Sequence, residues 1–280
     1  MTDKNIIQNT YETYDNYKVI KTKAKTGRAI VFFSGNGLYQ DEEDFKKNII
    51  QMDKYHWKNI AQNKKILKYY DLIVLIRDIK VQWYVEGINK NINSVDKIIE
   101  LISELTKNYS LTTCGVSSGG YMASLVGAKL GAEKIYSVSG QYKIDHQSDK
   151  EPFIEKFRNN ENVSKYYCIT PYLSTENKII YFYPDKFEDD IFQHSFIKDF
   201  NFVEFMFDDD EHALPRIGVA YPKLLTMSYE ELKILANLYK GQAINKKVFV
   251  NRLTTIFDRL SAKIQKKFRK SILKESFFWI

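Results

Sequence analysis

Short runs of β-branched and aromatic residues alternate along this chain with longer stretches whose apolar residues recur at three- and four-residue steps. The short runs predict strands over 17–23, 29–33, 71–76, 111–114, 134–138, 179–183 and 202–207. Those in the middle are nearly continuous in apolar residues, as expected for strands covered on both faces. Strands alternating with helical segments predict an α/β fold, a mostly parallel central sheet flanked by helices.

Between strands, Ser94 is placed to cap a helix running to Lys107, with Val95, Ile98, Ile99, Ile102 and Leu105 on one stripe facing the sheet. Residues 118–131, with Met122, Leu125, Val126 and Leu130, predict a helix starting directly after the 111–114 strand. Helices are also expected over 229–239 and from 245 to about 274. Weak periodicity and many polar groups mark 141–177 as a lid or cap insertion over the sheet edge.

Composition narrows the class. The chain has 280 residues, 44% hydrophobic and 15% aromatic, with 12 Gly and 5 Pro, which suits one packed domain with little linker. Its opening residues carry no apolar leader, and no run approaches the length of a membrane span. Two cysteines, Cys114 and Cys168, exclude a disulfide framework or a four-thiolate zinc site and fit a cytoplasmic setting. The net charge of +7 is uneven: 245–280 holds ten Lys or Arg against Asp258 and Glu275, leaving 32 basic and 33 acidic groups in 1–244. The expected division is therefore a catalytic domain over 1–244 and a basic amphipathic helical extension over 245–280. That extension can pack its apolar face on the domain, or can dock on an anionic membrane surface or a polyanion, peripheral to the inner membrane face. It shows no nucleic-acid module.

The segment Gly115-Val116-Ser117-Ser118-Gly119-Gly120 places G-x-S-x-G between a predicted strand and a predicted helix. A nucleophile on so sharp a turn needs neighbours without side chains, and Gly115 and Gly119 supply them. Ser117 then stands at a helix N-terminus, where the dipole and unpaired N–H groups favour a developing oxyanion. The backbone N–H of Ser118 is the natural first donor.

On this motif and its placement the chain resembles the α/β-hydrolase superfamily over roughly residues 17–225. The resemblance implies a triad in the chain order Ser, acid, His. His212, just past the last strand, fits the base; His56 and His146 precede any acid in that order and His194 falls within a helix, so these read as surface or core groups. The acid is expected after the 179–183 strand. Asp190, just before Ile191, is favoured, with Asp185 and Asp189 open. A second oxyanion donor is expected from Asn36 or Gly37 in the loop Ser34-Gly35-Asn36-Gly37, although the HGGG-type loop of the superfamily's lipases is absent. Asp78, Trp83 and Tyr84, beyond the C-terminal end of the 71–76 strand, are expected to line the substrate cleft. The resemblance thus implies a serine hydrolase acting on a small-molecule or saccharide ester without metal or cofactor. Two other readings stay open: an O-acyltransferase similar to those that O-acetylate bacterial surface polysaccharides, or a partner-binding protein on a hydrolase scaffold.

Overall fold

The computed structural model describes residues 3–145, 151–214 and 217–255. Helix α1 (Asp3–Thr13) precedes β1 (Tyr17–Lys21), β2 (Arg28–Phe33) and β3 (Leu72–Ile76). Helix α2 (Val95–Thr106), β4 (Ser110–Val116), α3 (Ser118–Lys129), β5 (Lys134–Val138) and β6 (Ile179–Pro184) follow. The chain continues through α4 (Glu188–Ser195), β7 (Phe202–Phe207), α5 (Tyr229–Asn237) and α6 (Lys246–Leu253).

Among the described residues the seven strands form one sheet in the order β1-β3-β2-β4-β5-β6-β7. Strand β1 is antiparallel to β3, and every other pairing is parallel. All seven predicted strands are present, and the expected α/β class holds.

Period-two alternation divides the sheet between two apolar layers. Ala29, Val31 and Phe33 of β2 face one layer with Val95, Ile98 and Ile102 of α2 and Tyr121 and Leu125 of α3. Ile30 and Phe32 face the other, with Trp57, Ile66, Leu232 and Leu235. Each of these side chains is largely or wholly shielded from water, a gain of roughly 1.5–3 kcal/mol for each large aliphatic residue before entropy is counted. The predicted Ser94 cap is made: its side chain accepts the Lys97 N–H.

The segment after β5 packs into the first layer through Tyr142, Ile144, Phe153, Ile154, Tyr166, Tyr167 and Ile169. Its short helices are Pro152–Lys156 and Glu161–Ser164. At the other end, the Asn245 side chain caps α6, and Phe249 packs on Phe205 and Phe207 of β7. The beginning of the expected basic extension is thus seated on the domain; residues 256–280 and His146 lie outside the described residues. Among the described residues no helix is long and apolar enough to cross a membrane.

Because β2 to β7 run parallel, their C-terminal ends meet at one rim. The chain leaving β2, β4, β5, β6 and β7 there carries Ser34, Ser117, Ser139, Asp185 and Asp208.

Candidate active site

Ser117 sits between β4 and α3 with φ +55° and ψ −125°, a left-handed conformation that costs a non-glycine residue free energy. Close packing holds it there. A Cβ on Gly115 would lie 1.9 Å from the Gly119 carbonyl oxygen, and one on Gly119 would lie 2.3 Å from the Phe33 carbonyl oxygen. Strand and helix therefore approach as only glycine allows, and the Ser117 N–H is used on the Val138 carbonyl at 2.8 Å. Ser117 remains partly exposed, whereas Ser118 is buried.

The loop after β2 lies against this turn. The Ser118 hydroxyl donates to Asn36 Oδ1 at 2.7 Å, tying helix to loop. Gly35 N–H donates to His56 Nδ1 at 3.0 Å, which makes His56 an imidazole with its proton on Nε2. Burial holds the His56 pKa below its ordinary value, keeping it neutral in that role. Tyr84 Oη donates to the Ser34 carbonyl at 2.6 Å, and Trp57 Nε1 to the Phe33 carbonyl at 2.9 Å. Among the described residues the N–H groups of Asn36 and Gly37 donate to nothing, so both remain available beside Ser117.

His212 follows β7 in a turn anchored by Asp209, whose Oδ1 accepts the N–H groups of Asp210 and Glu211 at 3.0 and 3.3 Å. The N–H of Ala213 donates to Ser139 Oγ at 3.1 Å, bringing this turn to the end of β5, next to the strand that carries Ser117. Asp190, in the first turn of α4, places both carboxylate oxygens 3.0 Å from His212 Nδ1. Its side chain is 1% exposed and that of His212 29%. A carboxylate only accepts, so Nδ1 carries a proton toward Asp190, and Nε2 is the ring nitrogen left for another partner. The other candidate acids lie apart from the imidazole: Asp189 is exposed, and Asp185 accepts the Asp209 N–H at 3.2 Å. His194 pairs with Glu204 at 2.9 Å and stacks on Tyr183.

Two expected cleft residues are placed differently. Asp78 is 3% exposed and its carboxylate accepts the N–H groups of Lys80, Gln82 and Tyr84 at 2.8, 2.7 and 2.9 Å. Burial pushes its carboxyl above the usual carboxylate range against the pull of those donors. Tyr84 is fully buried under Ser34. Both are corrected to internal supports, since their polar atoms are turned inward to fix a loop holding three left-handed residues, Val81, Trp83 and Tyr84. Trp83, 5% exposed, is buried as well and is corrected from a cleft-lining residue to one that meets Ser117 only through Gln141, a residue not singled out from the sequence. Its indole N–H donates to Gln141 Oε1 at 3.1 Å, and Gln141 Nε2 approaches Ser117 Oγ at 3.5 Å. The available signal was positional, because Gln141 stands three residues beyond β5 on the rim that carries Ser117.

Cys114 points into the second apolar layer, where burial pushes its thiol well up, so it offers no thiolate. Among the described residues no group of three or more His, Cys, Asp or Glu is arranged to hold a metal ion.

A mostly parallel sheet, flanking helices and a strained serine turn between a central strand and its helix define the α/β-hydrolase fold, and this chain has it. The chain matches no protein-family model and no curated protein. Among solved structures it is similar to the capsule O-acetyltransferase of Neisseria meningitidis serogroup A, at 12% identity and a TM-score of 0.52 over 82% of this chain and 99% of that one. A mutant of that enzyme in complex with CoA gives a TM-score of 0.53 at the same identity and coverage. MenH from S. aureus follows with a TM-score of 0.48 at 12% identity, over 80% of this chain and 100% of that one.

Proposed function

We propose that this chain is a serine enzyme cleaving an acyl bond, with Ser117 as nucleophile, His212 as general base and Asp190 as the acid that orients it. The observation carrying the reading is the Asp190–His212 pair, with both carboxylate oxygens 3.0 Å from Nδ1. It stands on the rim where the serine is held at positive φ. Among the described residues Ser117 Oγ contacts Gln141 Nε2 at 3.5 Å, and the reading requires a Ser117–His212 bond to form as substrate seats, the stage at which loose catalytic contacts commonly tighten.

In the forward step His212 Nε2 takes the Ser117 proton while Oγ attacks the carbonyl carbon, and negative charge develops on the carbonyl oxygen. The N–H of Ser118 and the unused N–H groups of Asn36 and Gly37 receive it. The imidazolium, held by Asp190, returns its proton to the leaving group as the acyl-enzyme forms. Water then attacks the acyl carbon as His212 takes its proton, the bond to Oγ breaks, and the imidazolium returns that proton to Ser117 Oγ as the acid leaves. This is ester hydrolysis.

A second reading replaces water by a saccharide hydroxyl and the ester by an acyl thioester. It is favoured by the overlap with the capsule O-acetyltransferase, whose mutant is in complex with CoA. Both readings share the acyl-Ser117 intermediate and are tested together. Hydrolysis of p-nitrophenyl acetate and fluorophosphonate labelling are expected in the wild type and at background in Ser117→Ala. CoA release from acetyl-CoA that depends on added polysaccharide identifies the transferase. Equal activity in wild type and Ser117→Ala refutes both. A wild type without labelling or turnover leaves the partner-binding alternative.

A further inference from the structure

We propose that Gln141, aimed by Trp83, is a side-chain hydrogen-bond donor to Ser117 Oγ during acyl transfer, a role that rests on Ser117 being the nucleophile. A glutamine amide can turn either its oxygen or its nitrogen toward a neighbour. Here the choice is forced. The indole of Trp83 only donates, and its N–H lies 3.1 Å from Oε1, so the amide oxygen faces the indole and the NH2 faces Ser117 Oγ. Gln141 is 6% and Trp83 5% exposed, which shields the bond between them from competing water. The ring of Trp83 is itself held by stacking on Phe153, with centroids 5.6 Å apart. The polarity at the serine is thereby set from a residue on a different loop.

The chemistry follows from which atom is approached. A donor cannot deprotonate the serine, so Gln141 is no second base. Its N–H occupies a lone pair of Oγ and leaves the hydroxyl hydrogen free for His212. In deacylation water or an alcohol attacks the acyl carbon, and the tetrahedral intermediate collapses by breaking its bond to Oγ. That oxygen gathers negative charge until the imidazolium returns the proton, and the Gln141 N–H stabilises the charge meanwhile. At 3.5 Å the resting contact is long, so the effect sits below the 10²–10³-fold loss typical of a well-placed oxyanion donor, at roughly tenfold.

Trp83 acts here as a positioning residue, and a double-mutant cycle separates that role from packing. Burst and steady-state rates of p-nitrophenyl acetate hydrolysis are measured in wild type, Gln141→Met, Trp83→Phe and the double variant, with thermal midpoints for each. Methionine keeps the length of glutamine without a donor, and phenylalanine keeps the stack on Phe153 without the indole N–H. Gln141→Met is expected to slow deacylation roughly tenfold. Trp83→Phe is expected to slow it about twofold, because an amide free to turn presents its N–H half the time. In the double variant the loss equals that of Gln141→Met alone. Wild-type rates in Gln141→Met, or losses that multiply, overturn the proposal. If Gln141→Met does not fold, the twofold loss in Trp83→Phe decides. A wild type that neither turns over nor labels instead removes the reading of Ser117 as nucleophile, and this one with it.

Discussion

Replacing Asp190 by asparagine isolates what its charge does, because the amide nearly matches the carboxylate in size and can still bond the imidazole. In the native chain both carboxylate oxygens lie 3.0 Å from His212 Nδ1 in a side chain 1% exposed, so water screens the pair poorly. The charge centres of a carboxylate and an imidazolium in such contact are about 4 Å apart, and at an effective dielectric near 20 they attract by about 4 kcal/mol. Each 1.4 kcal/mol is a factor of about ten in rate, so losing the charge alone costs roughly 10³-fold. Turning the asparagine NH2 toward Nδ1 would also move the ring proton to Nε2 and remove the base, taking the loss to about 10⁴-fold. The assay is the second-order rate of fluorophosphonate labelling at Ser117, with thermal midpoints to verify folding and Asp189→Asn as the exposed control. Asp190→Asn is expected to fall by at least about 10³ while Asp189→Asn stays within about twofold of wild type. A folded Asp190→Asn protein labelled within about tenfold of wild type, or a larger loss in Asp189→Asn, would refute the electrostatic argument.

The other two predictions concern stability. Gly119→Ala drives a Cβ to 2.3 Å from the Phe33 carbonyl oxygen, a backbone atom with no easy escape. A cost of at least about 3 kcal/mol is expected, which calorimetry would read as a fall of roughly 6–12 °C in Tm; an unchanged Tm would contradict the packing account. Lys134 is 1% exposed, donates to the Leu225 and Met227 carbonyls, and is held by burial at a pKa of about 8 against 10.5 when unfolded. The folded value is the lower one, so the unfolded chain binds more protons between those limits and stability rises with pH there. Urea unfolding should show a gain of about 2 kcal/mol from pH 7.5 to 9.5 that Lys134→Met lacks, and parallel curves for the two proteins would refute it.

Most of the fold was legible because the strands are doubly covered. Runs such as Ala29 to Phe33 and Leu72 to Ile76 have no polar face, and in segments this short that composition suits a strand covered on both sides. The serine turn was legible for a related reason, since its two glycines and its place between strand and helix are both sequence features. The pairing of Asp190 with His212 could be ordered along the chain, and the place before Ile191 favoured Asp190, but Asp185 and Asp189 stayed open. All three lie on one short connection, and only the turn into α4 decides which of them faces inward. Gln141 was missed, and His56 was read only as a surface or core group, because their roles come from contacts 24 and 21 residues away in the chain, with Ser117 and Gly35. Neither residue type announces such a contact. The described parts of 141–177, residues 141–145 and 151–177, lacked period because their tyrosines are placed one by one rather than along a stripe.

The three N–H bonds converging on Asp78 give the tryptophan loop an unusual kind of inheritance. Since the donors are main-chain groups, the backbone of the loop keeps its course through a single carboxylate, and only the indole ring depends on side chains, those of Phe153 and Gln141. A lineage could therefore exchange the side chains at 80 and 82 without redirecting this backbone for as long as the one buried aspartate survived.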